Sequence, residues 1–194
     1  MSQRLFVALR PPAEVRAALL APMAGVAGAR WQNDNQLHLT LAFLGELDRH
    51  GTAAAAEALA AVRQLPFEVQ LGTPGSFDTG RADRVSTLWA AVGEVLPEKP
   101  ARRGDGPLFR LAASVRHALR GAGLAVDLRR FSPHVTLARF PRGGVPREAL
   151  HRWLADTRLP PLAFRVHEFH LVESRMGVGG SHYAPVASYP LSMT

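Results

Sequence analysis

Short stretches of this chain alternate apolar and polar residues with a period of two, and the segments between them repeat apolar residues at helical spacing. Arg4-Leu5-Phe6-Val7-Ala8-Leu9-Arg10 reads as a short buried strand. Pro11 and Pro12 then open a helix carrying Val15, Ala18 and Leu19 on one face, which ends at Pro22, Gly25 and Gly28. A strand is expected at 36–44. A second helix over 51–65 would bury Ala54, Ala58, Ala61, Val62 and Leu65, with Pro66 as its stop. Phe67–Leu71 alternates as a strand, and Val85–Val92 reads as another carrying Trp89, with a Gly/Asp/Arg-rich turn region between them. Residues 97–107 hold enough proline and glycine to predict a loop. Beyond it, Leu108, Leu111, Ala112, Val115, Ala118 and Leu119 predict a helix over 107–121. A strand at 131–140, a helix at 146–157, and strands at 162–173 and 182–190 around the turn Met176–Gly180 complete the chain.

The order strand, helix, strand, helix, strand therefore runs twice. His38-Leu39-Thr40-Leu41 returns as His134-Val135-Thr136-Leu137, and 134 − 38 = 96 residues separates the copies. Phe67-x-Val69 and Phe164-x-Val166 match at almost the same offset, 97. In a strand, side chains i and i+2 share a face. Each copy thus offers an imidazole and a hydroxyl on one face, with an apolar reverse. A single such tetrapeptide would be an ordinary polar sheet face; two in matching contexts call for a function. The expected architecture is α+β: two pseudo-symmetric lobes, roughly 1–80 and 84–194, in one bilobal domain spanning 1–194. Each lobe would be an antiparallel-rich sheet with helices on its outer face, and the His-x-Thr strands would face a central cleft.

Composition narrows the chemistry. The chain has 194 residues, 47% hydrophobic and 20% charged, so it can bury a core. It has no cysteine, which excludes disulfides, thiolate metal sites and thiol nucleophiles, and makes the cytoplasm the expected compartment. No apolar run is long enough to span a membrane, and no signal-peptide pattern opens the sequence. The net charge of +7 is uneven. Residues 1–97 hold 8 Arg against 9 acids, a balance of −1; residues 98–194 hold 14 Arg and Lys99 against 7 acids, a balance of +8. That excess suits a polyanionic partner, and a single lysine among so many arginines suits compositional bias equally.

The paired His-x-Thr motifs a hundred residues apart resemble those of the 2H phosphoesterase superfamily. Within it the chain is similar to the bacterial and archaeal RNA 2′,3′-cyclic phosphodiesterases, also called 2′-5′ RNA ligases. The resemblance extends to Arg4–Ala8, Leu37–Glu46, Phe131-x-Pro133-His134-Val135-Thr136-Leu137-Ala138-Arg139, and the ending Leu171-x-Glu173-Ser174 … Gly180-x-x-Tyr183-x-Pro185. The 97–107 loop is longer than the family pattern. The resemblance implies His38 as proton donor, His134 as proton acceptor, and hydrolysis of RNA 2′,3′-cyclic phosphate ends to a 2′-phosphate with a free 3′-hydroxyl.

Opening a 2′,3′-cyclic phosphate needs a water deprotonated on one side of phosphorus and a ribose oxygen protonated on the other. Two imidazoles titrating near neutrality can do both. Thr40 and Thr136, two residues beyond each histidine, are spaced to donate to the nonbridging oxygens. No metal or other cofactor is expected. Arg139 lies three past Thr136, so it belongs on the opposite face unless a bulge intervenes; a phosphate contact and a structural ion pair are both open. Phe43 and Tyr183 suit core packing or stacking on a base. His167 and His170, three apart in one strand, would point to opposite faces, and no acid cluster completes a metal site. His50, His117, His151 and His182 read as surface or loop residues. The expected partners are RNA ends or nucleotides bearing a 2′,3′-cyclic phosphate, with no membrane and a monomeric state. The alternatives are 2′-5′ RNA ligation at the same site, or a non-catalytic RNA- or nucleotide-binding module.

Overall fold

The computed structural model describes residues 2–80, 83–95, 105–127, 129–177 and 180–192. In chain order the elements are β1 (Gln3–Leu9), α1 (Ala13–Leu20), β2 (Arg30–Trp31), a 3₁₀ turn (Asp34–Gln36), β3 (Leu39–Leu47), α2 (Arg49–Ala60), β4 (Phe67–Asp78) and β5 (Arg84–Glu94). They continue with α3 (Pro107–Gly121), β6 (His134–Arg139), β7 (Val145–Pro146), α4 (Glu148–Asp156), β8 (Ala163–Val166), β9 (Glu168–Gly177) and β10 (Gly180–Pro190). Most of the predicted 97–107 loop lies outside the described residues.

The strands form one curled sheet of ten, in the order β10-β9-β1-β3-β6-β5-β4-β8, with β2 beside β6 and β7 beside β5. Every pairing is antiparallel. Period-two alternation sorts each strand. Leu5, Val7 and Leu9 join the main core with Val15 and Leu19 of α1, Leu59 of α2, Leu111, Val115 and Leu119 of α3, and Leu150 of α4. Phe6 and Ala8, one step out of phase, form a separate small cluster with Val172 and Tyr183 on the other face. One face of the sheet is therefore packed under helices, and the other is left to build a site. The fold is α+β, as expected.

The sheet is nearly two. β3 and β6 meet in register at a single pair, Leu39↔Val135. Past it β6 pairs with β2 instead, through Trp31↔Ala138 and Arg30↔Arg139, while β3 runs on beside β1. The strands splay apart and open a cleft between β10-β9-β1-β3 and β6-β5-β4-β8.

Several elements depart from the sequence reading. The predicted strand at 162–173 is two strands broken at His167: β8 pairs with β4, whereas β9 pairs with β1 and β10 on the far side of the cleft. The chain crosses between halves of the sheet there. The Phe-x-Val pair read as a repeat is a cross-strand contact, with Phe67↔Val166 and Val69↔Phe164. Helix α2 stops at Ala60: the Ala61 and Val62 amides turn to the carbonyls three residues back, and the Gln64 amide hydrogen-bonds the Ser192 carbonyl at 3.1 Å. Its buried residues are Ala55 and Leu59, and Leu65 is 59% exposed. The turn region between Leu71 and Val85 is mostly strand, since β4 continues to Asp78 through a register shift between Leu71 and Pro74.

Candidate active site

The first histidine strand was expected to begin at 36. It begins at Leu39, because Asn33 and Gln36 close a reciprocal capping box around the 3₁₀ turn. The Gln36 side chain also donates to the Ser181 carbonyl at 2.6 Å. Asn35 clamps the backbone of Tyr183, donating to its carbonyl at 2.9 Å and accepting from its amide at 2.8 Å. The turn thus fixes both His38 and the strand whose Tyr183 ring packs against it. Asn-x-x-Gln was the available signal for this turn.

Each histidine is anchored the same way. His38 Nδ1 lies 2.7 Å from the Gln36 carbonyl oxygen, and His134 Nδ1 lies 2.7 Å from that of Ser132. A carbonyl oxygen only accepts, so Nδ1 carries the proton in both rings and a neutral imidazole leaves Nε2 to exchange protons. One register step on either side of Leu39↔Val135 sets His38 opposite Thr136 and Thr40 opposite His134. The two motifs are brought together crosswise.

Aromatic rings enclose both imidazoles. His38 sits 4.7 Å from Phe6 and 5.0 Å from Tyr183, the latter edge-to-face. His134 sits 4.9 Å from Phe77, also edge-to-face, and 6.2 Å from Trp89. Trp89 fits because Gly75 stands across from it; a Cβ at Gly75 would come within 2.3 Å of the indole. Low polarity disfavours the imidazolium. Burial pushes His38 down to about 4, with the charges of Arg139, His134 and Arg10 acting in the same direction and the Gln36 hydrogen bond opposing them. Burial, seconded by Arg139, also lowers His134.

Arg139 reaches the site through a bulge. Leu88 pairs with Ala138 and the next residue, Trp89, pairs with Thr136, so Leu137 is an extra residue in β6. The alternation resets, and Arg139 joins the face of His134 and Thr136. β3 repeats the device. Val7 pairs with Ala42 and Ala8 with Thr40, leaving Leu41 over, so Phe43 joins the face of Thr40. Arg139 and Phe43 thus occupy matching positions three residues past each threonine. Phe43 is 47% exposed at the cleft. Among the described residues, neither the two threonine hydroxyls nor the Arg139 guanidinium has a protein hydrogen-bond partner.

The compartment on the His134 side has a volume of about 440 Å³ and takes in Thr40, Phe43, Thr136 and Arg139. The sequence reading missed its basic wall. Arg116 of α3 donates to the Leu41 carbonyl and to the Arg129 carbonyl, both at 3.0 Å, and lies over the Phe131 ring at 5.5 Å. It ties the β3 bulge to the loop before β6. Arg129 pairs with Asp127 at 2.5 Å, and Arg130 also lines the wall. Nothing in helical periodicity distinguishes Arg116 from a solvent-facing arginine. His170 lies on β9 with Nδ1 2.8 Å from Ser188 Oγ. His167 sits at the break before β9, and His182 is within β10 instead of a loop. Among the described residues no three His, Cys, Asp or Glu side chains cluster as a metal site.

Comparison with known proteins bears on this geometry. The family model described as the 2′-5′ RNA ligase superfamily matches residues 11–177. The chain is 30% identical over 198 residues to the RNA 2′,3′-cyclic phosphodiesterase of Escherichia coli K12, covering 98% of this chain and 97% of that one. It is 32% identical over 200 residues to the enzyme of the same name from Thermus thermophilus, covering 97% and 90%. It spans only about half the length of the similarly named proteins of Geobacillus stearothermophilus and Aeropyrum pernix, 47% and 54%. Among solved structures, E. coli LigT complexed with 3′-AMP superposes with a TM-score of 0.73 at 27% identity, covering 98% of this chain and 99% of that one. LigT complexed with ATP superposes at 0.70 with 27% identity, covering 99% of each.

Proposed function

The chain belongs to the 2′-5′ RNA ligase superfamily, and we propose that it is a phosphodiesterase that hydrolyses RNA 2′,3′-cyclic phosphate ends to 2′-phosphomonoesters. The observation that carries this reading is the matched pair of imidazoles. Both are tethered through Nδ1 to the carbonyl two residues back and both leave Nε2 for proton exchange; each stands two residues from a threonine whose hydroxyl, among the described residues, makes no protein hydrogen bond. The relatives' shared name, RNA 2′,3′-cyclic phosphodiesterase, supports the same reaction.

In this reading the phosphate lies between the two His-x-Thr pairs. Thr40, Thr136 and Arg139 donate to its nonbridging oxygens, where negative charge accumulates in the transition state. His134 Nε2 takes a proton from the attacking water, and His38 Nε2 gives one to the departing 3′-oxygen of the ribose, leaving the phosphate on the 2′-oxygen. That division follows the family resemblance. The electrostatics are compatible with it: each imidazolium disfavours a charge on the other, so the pair holds one proton more readily than two. His38, lowered to about 4 chiefly by burial, is neutral near pH 7, and a phosphodiester anion beside it raises its proton affinity. Substrate thereby charges its own acid.

A second reading, 2′-5′ RNA ligation, uses the same site with an RNA 5′-hydroxyl in place of water. The wide compartment with Arg116, Arg129 and Arg130 on the His134 side favours it, being large and basic enough for a second strand. The ligands would be RNA ends or nucleotides, in line with the 3′-AMP and ATP complexes of E. coli LigT. Among the described residues no helix is long and apolar enough to cross a membrane; we place the protein in the cytoplasm, as a monomer. Incubation with adenosine 2′,3′-cyclic phosphate is the test. The expected product is adenosine 2′-phosphate, formed equally well after exhaustive chelation, since no step calls for a metal. No turnover, or activity restored only by a divalent ion, would refute the reading.

A further inference from the structure

The ladder between β3 and β6 stops beside the reacting groups, and something else must hold the two strands at their distance. β3 runs antiparallel to β6, so beyond Leu39↔Val135 the stretch Thr40–Phe43 lies opposite the segment that leads into His134. That segment is tied away from β3: the Pro133 carbonyl accepts from the Val92 amide of β5 at 3.2 Å. Leu41, the extra residue of the β3 bulge, has no register partner in β1 and none in β6. The Asp127 amide reaches the Phe43 carbonyl only at 3.5 Å. On the backbone alone, the separation of Thr40 from His134 would rest on little more than one aliphatic pair.

A side chain from the helix layer fills the gap. α3 packs on the reverse of the sheet, where Val115 and Leu119 join Leu41 in the main core. Arg116, next to Val115, nonetheless borders the cleft together with Thr40 and His134. Its side chain therefore passes between β3 and the loop before β6. Its donors serve opposite walls of that gap: Nε donates to the Leu41 carbonyl and Nη1 to the Arg129 carbonyl, both at 3.0 Å. The guanidinium also lies 5.5 Å over the Phe131 ring, which meets Phe109 of α3 edge-to-face at 5.4 Å. Both anchor points adjoin the chemistry. Leu41 directly follows Thr40, and Phe131 directly precedes Ser132, whose carbonyl oxygen holds the His134 ring at 2.7 Å. A planar fork with donors in fixed directions sets the distance between two acceptors, which a flexible ammonium does not.

We propose that Arg116 is a positioning residue that sets the separation of the two His-x-Thr motifs, holding the Thr40 donor and the His134 base at the spacing that in-line attack on phosphorus requires. It acts through two backbone carbonyls and not through the reacting atoms. Such spacing matters to rate, because a misplacement of about 1 Å can cost on the order of 10²-fold. This inference rests on the phosphodiesterase reading.

The test is steady-state kinetics on adenosine 2′,3′-cyclic phosphate, which places a single nucleotide in the cleft. Arg116→Met keeps the apolar stem and removes both donors. It should lower kcat by roughly 10- to 100-fold while KM changes little, the pattern of an interaction that counts only in the transition state. Arg116→Lys, with the charge but a single nitrogen, should fall between Arg116→Met and wild type. Adding Thr40→Ala to Arg116→Met should cost far less than Thr40→Ala costs alone, since a donor already misplaced has little left to lose. Wild-type kcat in Arg116→Met overturns the proposal; should that variant fail to fold, wild-type kcat in Arg116→Lys does so. A raised KM with kcat unchanged would make Arg116 a binding group and overturn its role as a spacer. Full multiplication of the two losses in the double variant would do the same. Wild type inert on the cyclic nucleotide would instead overturn the phosphodiesterase reading, and this role with it.

Discussion

Leu39 and Val135 are the one register pair between the two histidine-bearing strands. Their side chains are fully within the helix-covered core, at 2% and 0% exposure. The residues on either side of them, His38 and Thr40, Val135's neighbours His134 and Thr136, present the opposite face. A buried aliphatic contact on the reverse of the sheet thus sets the spacing of the groups on its front. Further pairing along β3 and β6 would close the cleft, and less would unhinge it.

Alanine substitutions should separate the roles of these front-face groups. His38→Ala and His134→Ala are each expected to lower kcat by roughly 10²–10⁴-fold, the contribution of a general acid or base. Thr40→Ala and Thr136→Ala should cost less, on the order of 10–10³-fold, as for loss of one transition-state donor. Circular dichroism should be unchanged in all four. Full activity in either histidine variant would refute the assignment.

The enclosed imidazoles make stability depend on pH. His38 is lowered in the fold from 6.5 to about 4, so its neutral form is favoured by folding. The sign follows from that direction: its contribution is complete above pH 6.5 and is lost as pH falls toward 4, when the unfolded chain takes up a proton that the fold refuses. The size is about 3 kcal/mol. His134 and His170, also lowered by burial, add to the loss from the same side. Urea midpoints at pH 7 and pH 4.5 should therefore differ more for wild type than for His38→Leu. An identical drop in both proteins would show that His38 is accessible to protons in the fold.

Arg116, Arg129, Arg130 and Arg139 all border the cleft, and each is in the more basic half of the chain. If they contact RNA, counterion release should make oligonucleotide affinity fall steeply with salt, by close to one unit of log–log slope per phosphate engaged. A cyclic mononucleotide, engaging one phosphate, should show a shallow slope. Titrations from 50 to 200 mM salt measure both. Equal slopes would leave the arginines without a role in binding RNA.

How much of this was legible in sequence depended on whether a local rule survived the tertiary context. α3 was read to the residue because its apolar spacing and Pro107 agree with its burial. The histidine and threonine pairs were legible because i, i+2 is the shortest-range rule a strand obeys. Arg139 and Phe43 were named as candidates but their face was not fixed, because one inserted residue, Leu137 or Leu41, reverses the face of everything after it, and nothing in either tetrapeptide marks a bulge. The break at His167 was hidden by continuous strand propensity on both sides of it. Only pairing to different partners, β4 before it and β1 after, reveals the crossing.

The division of labour between the histidines is open to a leaving-group test. If His38 is the general acid, its task is to protonate an alkoxide, which departs poorly without a proton. A nitrophenolate departs readily without one, so on a nitrophenyl phosphodiester the acid becomes nearly dispensable while the base is still required. His38→Ala should then recover most of its lost rate on that substrate, and His134→Ala should remain defective. The pH profiles should change in step. Wild type on the cyclic substrate should give a bell, rising as the base loses its proton and falling as the acid loses its own. His38→Ala on the activated substrate should keep only the rising limb. Since burial lowers His134, that limb should rise below the ordinary imidazole midpoint of 6.5. The reverse rescue pattern would exchange the two roles and leave the two-histidine mechanism standing. Rescue of both variants, or of neither, would count against one acid and one base.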